Sequence, residues 1–323
     1  MPIENAAILR PLGRTAIRIT AIGLGMMEFS GGGRGLMSSA FPTINQEEKN
    51  AIVAAALEHG INWFDTAEVY GGGHSEAGLA AALKAAGKSD QDVVVATKWW
   101  PILRSAGNIE RTISDRIRYL DGYTIGLYMV HQPYGFSSIE AEMAAMAALV
   151  EAGRIRCVGV SNFSALRMRR AHKALQNHGL SLAANQVRYS LLDRSIERNG
   201  ILGAAKELGV TIIAYTPLAS GLLTGKFHNR PELLQAKSWL WRTNLRRGLD
   251  KSRELIVALA QIGSRYEATA AQVALNWVIH GHGETIVTIP GATKALQAQE
   301  SASAMRFKLA TEEILRLNSL SQS

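Results

Sequence analysis

INWFDTAEVYGGGHSE, residues 61–76, is the stretch from which the fold can be read. A short apolar run, 61–64, stops at a carboxylate, Asp65, and Tyr70 follows just before three glycines. An apolar run of this length bounded by turn signals reads as a buried strand. Asp65 and Tyr70 then stand at a strand's end and just beyond it. Working outward, the runs 93–97 and 125–130 stop in the same way, at Lys98 and at His131. In a parallel α/β barrel every strand ends on the same face, so these four polar residues converge in space however far apart they lie in the chain. A carboxylate, a phenol, an amine and an imidazole meeting there form a site for moving protons.

The same pattern covers the whole chain. Strand-like runs occur at 20–24, 61–64, 93–97, 125–130, 155–160, 183–187, 211–215 and 285–289, and segments with helical periodicity lie between them at 46–58, 76–86, 138–151, 165–178, 196–208 and 251–266. Asn45, Ser75, Asn108, Ser137, Ser164 and Ser195 stand at or before helical starts, where a side-chain oxygen can cap free N–H groups. Strands alternating with helices imply parallel pairing through right-handed crossovers, and eight such units close a (β/α)8 TIM barrel. We therefore expect an α/β chain with one barrel domain over residues 1–323. ILRPLGRTAIRI, ahead of the first barrel strand, reads as a β-hairpin able to plug the N-terminal end of the barrel. Two long irregular stretches, 26–43 and 228–250, follow strands and so hang over the C-terminal face, where such loops shape a pocket or a lid.

Composition narrows the class. Of the 323 residues, 47% are hydrophobic and 19% charged, which suits a globular enzyme. The N-terminus lacks a signal-peptide apolar core and no apolar run could span a bilayer, so the expected location is cytoplasmic, with no membrane partner. The formal charge of +8 is spread along the chain without a basic block interleaved with aromatics, which argues against nucleic acid and suits a phosphorylated small molecule. The single cysteine, Cys157, sits inside an apolar strand as a core residue. His280 and His282 read as loop residues without a third ligand, and no metal is expected. GLGMME lacks the third glycine of a dinucleotide-binding turn, and SGLLTGKF departs from a phosphate loop at Ser220 and Phe227. A Gly/Ser/Thr-rich loop straight after a strand can nonetheless present backbone N–H groups to a pyrophosphate.

The strings INWFDTAEVYGGGHSE, ATK ending at Lys98, VHQP at His131, GVSNF from Gly159, NQVRYS from Asn185, AYTPLASGLLTGK from Ala214 and IPGATKALQAQES from Ile289 together resemble the aldo-keto reductase superfamily. They fall in that family's order and cover nearly the whole chain. The resemblance implies a barrel that binds a nicotinamide cofactor without a Rossmann fold. It also implies roles. Ser161, Asn162 and Gln186 would hydrogen-bond the nicotinamide carboxamide, and Tyr215, for which an apolar strand leaves a core role as the lesser alternative, would stack on its ring. Pro217, Leu218, Ser220, Gly221, Leu223, Thr224 and Lys226 would wrap the pyrophosphate. Ile289, Gly291, Thr293, Lys294, Gln297 and Glu300 would hold the adenosine end.

Carbonyl reduction needs a hydride at carbon and a proton at oxygen. Tyr70 is the expected acid, with Lys98 lowering its pKa from about 10, Asp65 holding Lys98 and keeping it protonated, and His131 donating a second hydrogen bond as neutral imidazole. A structural Asp65–Lys98 ion pair would look the same in sequence. Lys294 is the one clear cation in the adenosine segment, where many NADP-preferring relatives carry further basic residues. NADP(H) is expected to be preferred, with NAD(H) usable. Met26, Met27, Trp99, Trp100, Tyr134 and Trp239 follow strands and are expected to line a pocket for an apolar or aromatic carbonyl. The alternatives are an NAD-linked sugar or alcohol dehydrogenase working in the oxidative direction, or a cofactor-sensing regulatory subunit.

Overall fold

Strand β5, Val94–Trp99, sets the pattern for the others. Alternation along an extended chain sends Val94, Ala96 and Lys98 to one face and Val95, Thr97 and Trp99 to the other. All six are buried, as expected of a strand covered on both sides. The computed structural model describes residues 9–35, 38, 41–235 and 239–321, and of 239–247 and 251 it describes only the backbone. β5 pairs in parallel with β4 (Trp63–Asp65) and β6 (Ile125–Val130). The series runs on through β7 (Ile155–Ser161), β8 (Leu182–Arg188), β9 (Thr211–Tyr215) and β10 (Ile286–Thr288), with β3 (Leu24–Gly25) beside β4. Its two edges meet. Ile22 bridges Thr288 and Gly25 bridges Gly291, both in parallel. The Gly23 N–H donates to the Thr288 carbonyl at 2.8 Å, and the Gly25 N–H to that of Pro290 at 3.0 Å. The sheet is a closed (β/α)8 barrel.

Two apolar layers follow from the alternation. Trp63, Val94, Ala96, Leu127, Met129, Cys157, Ala184, Ile213 and Val287 form one cluster, the barrel interior. Phe64, Val95, Trp99, Tyr128, Val130, Val158 and Val160 belong to the other, shared with the surrounding helices. The predicted hairpin is present as β1 (Leu9–Pro11) and β2 (Arg18–Thr20), turning at Gly13, whose φ is +59°. Leu12 and Ile19 from it join the interior cluster, so it does close the N-terminal end. Residues 18–20 are therefore spent in the hairpin, and the first barrel strand begins later than the sequence suggests.

Arg10 fastens this plug. It is buried, and its guanidinium donates to the Ile286 and Ile279 carbonyls, each at 2.6 Å. Arg10→Met would leave two buried carbonyls unpaired at about 1–3 kcal/mol each. We expect it to cost about 2–5 kcal/mol in urea unfolding. An unchanged midpoint would mean that water replaces the guanidinium.

Helices cover the sheet, and Asn45, Ser138 and Ser164 cap three of them. Other expected caps do different work. Ser75 lies inside the helix His74–Ala85 and donates to the Met26 carbonyl at 2.7 Å, and the Ser137 hydroxyl accepts from the Ala106 N–H. Asn108 lies in the first turn of Gly107–Leu120, and Ser195 is the first residue of Ser195–Arg198. Among its described residues the stretch 228–250, expected to be irregular, is largely helical. After Lys226–Asn229 and a 3-10 turn, Pro231–Leu234, the helix Trp239–Gly263 takes up its second half and extends the predicted 251–266 segment toward the N-terminus. His280 ends the helix Ala270–His280, and His282 pairs with Glu197 at 3.2 Å.

Candidate active site

Side chains at the C-terminal ends of the strands that share the inward alternation meet in one place. Asp65 ends β4, Lys98 follows Val94 and Ala96 inward on β5, and His131 follows Leu127 and Met129 on β6. The Lys98 ammonium donates to Asp65 Oδ2 at 2.6 Å and to the Thr66 carbonyl at 2.9 Å, with both side chains buried. Asp65 Oδ1 accepts from Gln186 Nε2 at 2.9 Å. Tyr70 comes from the loop after β4, where Gly71, Gly72 and Gly73 all have positive φ and turn the chain sharply into His74–Ala85. That turn lays the phenol ring 5.2 Å from Lys98 Nζ and edge-on to His131, with ring centroids 5.9 Å apart. The expected four residues are brought together.

Their electrostatics depart from expectation in one respect. Burial, then the charge of Asp65 and that of Glu28, hold the Tyr70 phenol well above its ordinary range. Lys98 was expected to lower it, but its charge is matched by Asp65 at contact distance. For Lys98 and Asp65 themselves, burial pushes the amine down and the carboxyl up, and each partner opposes the other's shift. His131 is driven well below the usual imidazole range by burial and by Lys98, so it stays neutral. Its buried Nδ1 has no hydrogen-bond partner among the described residues.

A second polar web adjoins the first. The Tyr215 hydroxyl donates to Asn162 Oδ1 at 3.0 Å, and Asn162 Nδ2 donates to the Ser161 hydroxyl at 3.1 Å. Asn162 has φ +61°, and its N–H donates to the Gln186 carbonyl at 2.8 Å. Beyond β9, three successive residues, Ala219, Ser220 and Gly221, have positive φ. Two of them carry side chains, a conformation that costs energy and collects at ligand sites. Lys226 folds over this turn: a Cβ on Gly221 would lie 2.9 Å from its Cε. Thr224 donates to the Gly221 carbonyl at 2.8 Å.

Not every candidate side chain faces the mouth. Trp99 is a correction: it alternates outward from Lys98, is fully buried, and donates through Nε1 to Asn108 at 3.0 Å. Met26 is another, packed in the helix layer. Leu223, Pro217 and Ile289 are buried, and the side chain of Ile289 belongs to the interior cluster. Trp100 does reach the site, edge-on to His131 at 5.3 Å. Tyr134 is 65% exposed, beside Phe136 at 72%, a neighbour not anticipated. Met27 and Leu218 are half-buried and Ser220 is exposed. The side chain of Trp239 lies outside the described residues. Thr293 donates to Gln297 Oε1 from its N–H at 2.8 Å and from its hydroxyl at 3.1 Å, Lys294 is exposed at the start of the helix Ala295–Ser303, and Glu300 is half-buried on that helix. Glu28, beside Gly291, was missed; a lone acid in the apolar string MMEF was its only signal.

Residues 21–322 match the family model described as Aldo/keto reductase family. The chain belongs to that family. It is an NAD(P)H-dependent oxidoreductase of the aldo/keto reductase type. An uncharacterized oxidoreductase of Mycobacterium tuberculosis is 37% identical over 264 residues, covering 81% of this chain and 78% of that protein. Pyridoxal reductase, chloroplastic, of Arabidopsis thaliana is 33% identical over 275 residues, 81% of this chain and 73% of that one. A crystallised thermostable aldo-keto reductase in complex with the inhibitor epalrestat superposes with a TM-score of 0.77 at 30% identity, covering 97% of this chain and 99% of that one. Among the described residues no helix is long and apolar enough to cross a membrane, and no group of three or more His, Cys, Asp or Glu side chains could hold a metal ion.

Proposed function

We propose that this chain, as one barrel domain, reduces an aldehyde or ketone to an alcohol with NADP(H), Tyr70 being the proton donor. The observation that carries the reading is the buried contact set in which Lys98 bridges Asp65 and Thr66 beneath the Tyr70 ring, with neutral His131 at that ring's edge. The bound dinucleotide would supply the hydride. Everything else falls to the protein. Tyr70, kept protonated by burial, gives its proton to the substrate oxygen, because an alkoxide is more basic even than a phenolate of raised pKa. His131 donates a hydrogen bond to the same oxygen, a contribution of roughly 3–4 kcal/mol in comparable sites. Lys98, anchored by Asp65, supplies positive charge where negative charge develops.

The residues present suit a dinucleotide. The left-handed turn 219–221 lies under Lys226, so a diphosphate there would meet that ammonium and the exposed Ser220, the Ala219 and Gly221 N–H groups being already donated to the Thr216 and Leu218 carbonyls. The Ser161–Asn162–Tyr215 web offers amide and hydroxyl groups to the carboxamide end, with the Tyr215 ring half-buried beside it. Gln186, fixed on Asp65, retains its carbonyl oxygen for the same purpose. Trp100 against His131, with half-buried Met27 and exposed Tyr134 on neighbouring loops, favours an apolar or aromatic carbonyl.

Following the fall in NADPH absorbance over a panel of aldehydes, ketones and sugars tests the reading. Saturable oxidation of NADPH by at least one aromatic aldehyde is expected, and none with any carbonyl would overturn it. For the choice of cofactor, Lys294 is the exposed cation at the adenosine segment, whereas Thr293 and Gln297 are already tied to each other. A charge-assisted hydrogen bond is worth about 1.5–3 kcal/mol. Lys294→Ala should raise the KM for NADPH by roughly tenfold or more, leaving that for NADH nearly unchanged. An equal loss with both cofactors would place the 2′-phosphate elsewhere.

A further inference from the structure

Glu28 has no place in the chemistry above, yet it is the most conspicuous unexplained group at the mouth. It stands on the 3-10 turn Met27–Ser30 that follows β3. Its Oε2 is enclosed and has no hydrogen-bond partner among the described residues, which in a native fold calls for an explanation. Its carboxyl lies against the backbone of Gly291: a Cβ there would fall 2.2 Å from Oε1 and 2.4 Å from Oε2. Any side chain at position 291 would have to displace it. On the other side its charge reaches the Tyr70 phenol. Glu28 thus lies between Tyr70 and the segment 291–300, so a dinucleotide reaching from one to the other would pass beside it.

We propose that Glu28 is a proton-linked specificity residue for the diphosphate of the dinucleotide, which binds with this carboxyl protonated, so that binding takes up a proton. The proposal rests on the dinucleotide reading of the site. A carboxylate facing a diphosphate repels it, whereas the acid form offers it an O–H donor. Burial already holds this carboxyl up at about 7, with only its own backbone N–H pulling it down. The groups facing it are few. From the loop after β4 comes Tyr70, held protonated. On the neighbouring helix His74–Ala85, His74 is lowered by burial and by Lys49, whose Nζ lies 3.0 Å from its Nε2, and neither acts on Glu28. From β10 onward Gly291 presents no side chain, and Thr293 and Lys294 lie further along.

Calorimetric titration of the intact protein with NADH, on either side of about pH 7 and in two buffers of different ionisation enthalpy, tests this. NADH is chosen because the 2′-phosphate of NADPH titrates on its own account near about pH 6. Native protein should take up close to one proton per NADH above neutrality, and its affinity should fall by up to about tenfold per pH unit there. Glu28→Gln, nearly isosteric, should bind without uptake and with flat affinity, and Glu28→Ala should do the same if the glutamine packs poorly. His74 still titrates in both variants, so the difference isolates Glu28. NADH binding by native protein with no proton uptake, or uptake that persists in both variants, overturns the proposal and leaves the dinucleotide reading standing. If neither NADH nor NADPH binds at any pH, both fall together.

Discussion

Tyr70→Phe is expected to lower carbonyl reduction by roughly 10²- to 10⁴-fold, the usual contribution of a positioned general acid, while NADPH affinity stays the same. The ring is held by its edge contact with His131, by Lys98 and by the glycine turn behind it, none of which needs the hydroxyl. Phenylalanine should therefore keep the shape and remove only the proton. Because burial and Asp65 hold the native phenol above its ordinary range, the rate of reduction should not fall in mildly alkaline solution through loss of that proton. Single-turnover rates and cofactor affinity of the variant decide the matter. Turnover near the native level, with affinity intact, would assign the proton to another group.

The second large effect concerns the pair beneath it. Lys98→Met would leave the Asp65 carboxylate buried with only Gln186 to answer it, and removing one member of a buried pair costs about 3–5 kcal/mol. The double variant Asp65→Asn, Lys98→Met should recover most of that stability but not the activity. Asp65→Asn alone tests the chemistry. Burial already lowers Lys98, and Asp65 is the first group that opposes this. Without it the amine loses its proton at lower pH, so activity should decline at a lower pH than in the native enzyme. Thermal melts and rate profiles against pH for the three variants separate the roles: full activity in the double variant would reduce Lys98 and Asp65 to a structural pair.

How much of this was legible in the sequence depends on what each feature requires. Asp65, Lys98 and His131 could be read because a buried strand announces itself as an apolar run and its end as the first polar residue. Alternation would also have excluded Trp99, since it directly follows inward-facing Lys98; position after a strand alone does not give direction. The helix Trp239–Gly263 was hidden by Gly248, which costs about 1 kcal/mol inside a helix and reads as a break. A Cβ there would meet Leu222 Cδ1 at 2.7 Å, so a larger residue would require that leucine to shift. The sign of the shift at Tyr70 could not be foreseen, because it depends on depth of burial and on how closely Asp65 cancels Lys98. Glu28 lay in a loop with no periodicity, and the packing of Gly291 against it joins residues from opposite ends of the chain.

The alternation along β5 sets where this chain can change in length. Deleting one residue between Val94 and Thr97 would turn Lys98 toward the helices and swing the Trp99 indole into the barrel, since a slip of one reverses every side chain of a strand. The same holds for β6, which brings in His131, and for β7, which ends in Ser161. Insertions in the connections after β3 or β9 leave that parity untouched. Descendants of this sequence are therefore free to vary the rim by whole segments, while the staves of the barrel stay fixed in residue count, and new substrate ranges arise by splicing loops.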